Sequence, residues 1–185
     1  MHYWYTMHKQ LIIAAGLGLL LFTSPAAVMA QAPSTNLSME EMLAVFALQF
    51  DLTLPDTSFV EMDPGTVWEE AATEAKIMCV AMPAPFERVL QDTTEMKTSP
   101  EMILLNQGRL DMNGLAGYLV QMEFVQPEGS GAPEPFIGLL YMRPLDAQTT
   151  LTVNVAFPKS HHERLYSKML VAFASVHQRT PGNKQ

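Results

Sequence analysis

One cysteine, Cys79, stands in a chain of 185 residues, which excludes an internal disulfide and leaves the fold to its apolar core. Bases are also scarce, 11 Lys and Arg against 19 Asp and Glu, for a net charge of −8. They form no cluster, so phosphate backbones and anionic lipid headgroups are repelled, and we expect no nucleic-acid partner. Complete catalytic or metal signatures are missing too. "HHERLY" at 161–166 stops short of His-Glu-x-x-His, because Tyr166 stands where the second histidine of a zinc grip is required. His161 and His162 are adjacent and diverge by about 100° around a helix, so they do not share an ion. "EGSGA" at 128–132 lacks the spacing of a nucleophile elbow. Sequence reading therefore nominates no catalytic, cofactor-binding or metal-binding residue, and expects no cofactor and no enzymatic activity.

What is present begins with Met1 to Ala30. Lys9 is the only formal charge there, an apolar run extends from Leu11 to Phe22, and small residues end the segment at Ala26 to Ala30. This is the order of a secretory signal peptide, with cleavage expected after Ala30; the alternative is retention as an anchor, since residues 11–30 approach the length that spans a bilayer. No cysteine follows the run to carry a lipid. With Lys9 removed, ten bases face nineteen acids. The expected organisation is a signal peptide at 1–30, a polar leader and short helix at 31–48, one α+β domain at 49–178, and a flexible tail at 179–185. The mature chain has room for one core and no stable membrane insertion.

Along the mature chain, Ser38 and Glu41 have capping-box spacing, with Leu37 placed to pack on Met42, and predict a helix to about Leu48. "QFDLTLP" alternates Phe50, Leu52 and Leu54 with polar residues and predicts a half-buried strand ended by Pro55. Residues 68–82 fit either a helical stripe or a buried strand; we assign a strand from about Ala75 to Met82, preceded by an irregular or short helical piece. Glu69, Glu70 and Glu74 then read as solvated. Cys79 reads as a buried apolar residue rather than a copper ligand with Met78 and Met82, because Met78 and Cys79 point to opposite faces of a strand. Methionines are scattered through the apolar periods as core filler, and Trp68 reads as half-buried core.

A helix is expected from about Pro85. Around Asn113-Gly114 we expect a hairpin closed by the three-residue loop 112–114 with Gly114 left-handed, pairing Leu110 with Ala116, Gly108 with Tyr118, Leu104 with Met122 and Met102 with Phe124. One face of that sheet is then dry, and Leu105, Gln107, Arg109, Asp111, Leu119, Gln121 and Glu123 form a wetter one. After a loop at 126–134, two further strands, "PFIGLLYMR" and "TTLTVNVAF", lead through Pro158 into a last helix. Ser160 and Glu163 are spaced as its capping box, and its stripe Leu165, Met169, Ala172, Phe173 and Val176 covers the dry face, Tyr118 included.

The fold class is thus α+β, a twisted antiparallel sheet covered by helices with the C-terminal helix packed on it. This order of elements, from "AKIMCVAMPAPF" through the Asn-Gly hairpin to "VAFPKSHHERLYSKMLVAFASV", resembles the PsbP-like and DcrB-like group of small exported α+β domains. The resemblance implies a non-enzymatic accessory or protein-interaction domain of the bacterial cell envelope, periplasmic or extracellular, with an envelope protein as partner. It carries no residue-level function. Two other readings stay open: a periplasmic carrier of a small ligand or metal, and a hydrolase whose site is assembled only in space.

Overall fold

A computed structural model describes residues 38–95, 102–125 and 134–180. The signal segment, the leader to Leu37 and most of the 126–134 loop lie outside them. Ser38 opens α1 (Met39–Phe46) with a complete capping box, its hydroxyl accepting from the Glu41 amide and the Glu41 carboxylate accepting from its own. No residue of α1 is buried, so this short helix depends on its caps and on partial packing of Val45 against the core. The chain continues through β1 (Phe50–Asp51), β2 (Val60–Asp63), β3 (Val67–Glu70), β4 (Ala75–Met82), α2 (Phe86–Thr94), β5 (Met102–Arg109), β6 (Tyr118–Val125), β7 (Pro135–Pro144) and β8 (Thr150–Pro158). A single 3₁₀ turn (Lys159–His161), α3 (His162–Ser175) and β9 (His177–Gln178) complete it.

Seven strands form one antiparallel sheet in the order β2-β3-β4-β8-β7-β6-β5. Alternation then sorts the side chains to two faces. On one lie Ile77, Cys79, Leu119, Ile137, Leu139, Tyr141, Val153, Val155 and Phe157, packed beneath Leu165, Met169 and Phe173 of α3. On the other lie Val120, Met122, Phe124, Phe136, Leu140 and Met142, packed against Val89 of α2. β7 and β8 are buried on both sides, which is why their sequences read as almost unbroken apolar runs. The expectation of one dry and one wet face is corrected accordingly. Tyr118, Met122 and Phe124 belong to the face of α2, and α3 covers the face of Leu119 and Gln121.

The hairpin explains this inversion. Asn113 and Gly114 both adopt positive φ, 52° and 76°, and Met112 and Leu115 exchange both backbone hydrogen bonds across a two-residue turn. Arg109 therefore opposes Tyr118 and Gly108 opposes Leu119, so the expected pairings Leu110–Ala116 and Gly108–Tyr118 are not formed. The extra residue enters further along, as a bulge at Leu105, beyond which Leu104 meets Met122 and Met102 meets Phe124 as expected.

Other segments differ from expectation for local reasons. Residues 67–70 are a strand, turned tightly into β4 with Glu74 at φ 56°. The strand at Phe50 is only two residues long and pairs with β9 outside the main sheet, while Leu52 and Leu54 pack half-buried on the core. α3 starts where "SHHERLY" predicts, but Ser160 does not cap it. The serine lies inside the 3₁₀ turn, without the extended backbone a cap requires, and α3 has no side-chain cap bond. Arg179, expected in the flexible tail, pairs with Asp51 and Glu61, at 2.7 Å each.

Phe173 is 1 % exposed and stacks on Tyr141 at 5.3 Å, whereas Val171 on the opposite side of α3 is 56 % exposed. Phe173→Ala is expected to cost about 3–5 kcal/mol and Val171→Ala no more than about 0.5 kcal/mol, both measured by urea unfolding.

Candidate functional site

Three polar arrangements stand out against the apolar layers. The first is closed. Glu70, 3 % exposed, ends β3 and accepts hydrogen bonds from the hydroxyls of Ser58 and Thr73 and, at 2.9 Å, from the Arg164 guanidinium of α3. Burial raises its pKa, but these donors outweigh it and hold the carboxyl below its ordinary value. With three donors on its two oxygens and almost no exposure to solvent, the carboxylate fixes α3 against β3. Reading Glu69 and Glu70 as solvated is corrected here: Glu70 is buried, and Glu69 pairs with Lys76 at 3.4 Å within β3–β4. Only Glu74 of the three is exposed.

The second arrangement closes the C-terminus of α3. Arg143, 9 % exposed, donates to the Val176 carbonyl at 3.0 Å and to that of Pro144 at 3.3 Å. Asn113 at the hairpin corner donates to the Ala174 carbonyl at 2.9 Å. Orphan carbonyls and the negative end of the helix dipole are thus met by a buried cation and an amide. Beside them Tyr141 lies under Gly117, where a Cβ would come within 2.6 Å of the phenol ring. Burial raises the pKa of Tyr141.

The third arrangement is open. Where β5 and β6 run out beyond the cover of α3, a cleft of about 330 Å³ lies between the sheet and the helix. Leu110 and Leu119 of the sheet and Tyr166 and Leu170 of the helix supply its apolar walls, and Asn106 and Gln121 its amides, with Gly108 between them; Gln107 and Arg109 border it through the strand, but they oppose Val120 and Tyr118 and belong to the face of α2. His162 stands at its helical end, 3.4 Å from the Gln121 amide, with its ring 5.0 Å from that of Tyr166. The wetter face expected from sequence is thus divided: Leu119 and Gln121 lie under α3 with Asn106 and Gly108, whereas Gln107 and Arg109 lie on the face of α2. What hid the cleft was the two-residue turn, which brings Leu119 and Gln121 to the face of α3 opposite Gly108 and Asn106.

The remaining residues singled out by sequence are dispersed. Cys79 is fully buried in the core, where desolvation pushes its thiol pKa up, and Met78 lies on the opposite face of β4. Trp68 is buried, His161 is half-exposed beside the inward His162, and His177 is exposed. Among the described residues no three His, Cys, Asp or Glu side chains are grouped to hold a metal, and no helix is long and apolar enough to cross a membrane.

No family model matches the chain, and no curated protein matches it in sequence. In structure it is similar to LpqN of Mycobacterium tuberculosis, a protein involved in cell envelope biogenesis, with a TM-score of 0.51 and 12% identity over 72% of this chain and 85% of that one. It also matches the cyanobacterial PsbP of Synechocystis sp. PCC 6803, with a TM-score of 0.45 and 10% identity over 81% and 99% of the two chains. A third match is PA94 of Pseudomonas aeruginosa, with a TM-score of 0.48 and 13% identity over 72% and 85%. The likeness is one of fold: the chain has the α+β layout of PsbP-like domains, as the order of its elements implied.

Glu70 gives a pH test of the closed cluster. Because its folded pKa is depressed, its contribution to stability is complete above the ordinary value of 4.5 and is lost as pH falls through the lower folded value. Urea midpoints of the wild type should therefore fall as pH drops below 4.5; Glu70→Gln should be less stable at neutral pH and show a shallower acid slope.

Proposed function

We propose that the chain is an exported, non-enzymatic accessory module of the bacterial cell envelope, which engages a protein partner along the margin formed by β5 and α3. The observation that carries this reading is the pairing of an open cleft with an exposed apolar strand. Ile103, Leu104 and Leu105 are 58 %, 42 % and 45 % exposed on β5, at the end of the sheet. A run of large exposed apolar side chains on an edge strand is a recognition surface or an aggregation hazard, and a chain of net charge −8 is otherwise built to stay dispersed. Export rests on the three-zone order of residues 1–30, and the likeness in fold to LpqN, involved in cell envelope biogenesis, supports a place in that compartment. The incomplete catalytic signatures and the engagement of Glu70 with Ser58, Thr73 and Arg164 favour a binding role over hydrolysis.

The cleft volume lies near the lower end of small-ligand sites, which favours a carrier as the second reading. Native mass spectrometry of protein purified from its own host would support the carrier if a small molecule is retained.

For the leading reading, a photo-crosslinking residue at Leu105 should trap a discrete partner in envelope fractions of the source cell, and one at the exposed Ala71 should not. Equal trapping from both positions, or none from either, defeats the proposal. N-terminal sequencing should place the first residue of the exported protein at Gln31; an intact Met1 would defeat cleavage after Ala30, and recovery of the protein in the cytoplasmic fraction alone would defeat the export element.

A further inference from the structure

Gly108 has no evident reason, within the fold, to be glycine. Its φ is not left-handed, and a Cβ built on it meets nothing within 4 Å. By contrast, Gly117 and Gly138 are fixed by close neighbours, with an added Cβ falling 2.6 Å from Tyr141 and 2.9 Å from Met122. A glycine inside a strand weakens it unless another backbone or a ligand approaches closely. The space above Gly108 is the cleft, since it pairs with Leu119 on the face of α3. Electrostatics point the same way. On a chain of net charge −8, the cleft lining holds no carboxylate, and Arg109, next to Gly108 on the edge strand, presents a cation on the other face, opposite Tyr118. Among the described residues β5 ends the sheet, so its outer backbone groups face away from β6 and are available to an added strand.

Resting on the reading of this margin as a partner site, we infer that the cleft receives an extended peptide segment of the partner, laid along β5 as an added strand. One apolar side chain of that segment sits above Gly108, among Leu110, Leu119 and Leu170, and a carboxylate of the adjoining position, pointing to the other face, pairs with Arg109. The added strand supplies affinity through main-chain hydrogen bonds, and alternate side chains entering the cleft supply selectivity.

The test uses the full-length protein and a phage library of eight random residues, the length of β5. Selected peptides should carry an apolar residue and an acid at fixed spacing. Against Gly108→Leu, which fills the cleft, the best synthetic peptide should bind at least about tenfold more weakly, while the thermal midpoint of the variant holds or rises because strand propensity improves. Against Arg109→Glu the selection should turn from acidic to basic peptides. Failure to enrich any sequence, equal binding to Gly108→Leu, or an acid preference that survives Arg109→Glu overturns the inference. Partner trapping at Leu105 combined with such a failure leaves the accessory role standing and removes only the peptide groove; enrichment without trapping does the reverse.

Discussion

Burial of β7 and β8 on both faces is the constraint from which the rest of the architecture follows. Two central strands that present apolar side chains upward and downward cannot be stable under a single layer of helix. α3 covers one side and α2 the other. The helices do not reach across seven strands, and what they leave bare is the two edge strands, β2 and β5. The cleft is therefore a by-product of how cover is distributed, and its chemistry is set by the few residues that the hairpin carries into it.

Much of this was legible in the sequence because it depends on local pattern. The α1 capping box, the strand from Ala75 to Met82, the helix after Pro85 and the stripe of α3 all follow from spacing and from proline. What escaped depends on tertiary choice. Both turn geometries at Asn113-Gly114 satisfy local chemistry, and they differ in where the odd residue is absorbed; the fold absorbs it at Leu105, where two exposed leucines precede a polar run and leave no periodic trace. Strand β3 was hidden for a related reason. Trp68 and Glu70 alternate inward as a strand requires, but a buried glutamate reads as solvated until Arg164, 94 positions later, is seen to reach it.

The candidate site was half visible. Alternation alone grouped Leu119 with Gln121, but it set Gln107 and Arg109 beside them, where the fold sets Gly108 and Asn106; Tyr166, Leu170 and His162 could join them only once α3 was placed on their side of the sheet. Function was less legible than fold, because the features that distinguish this margin are a glycine without steric need and a lining without acids. Neither has a linear signature.

The hairpin corner adds a mechanical consequence. Asn113 anchors the tip of β5–β6 to the last turn of α3, and Gln121 and Glu123 of β6 meet His162 and Lys159 at the start of the helix, so the two jaws of the cleft are held at both ends. Their spacing is fixed before any occupant arrives, and a visiting chain meets a rigid slot.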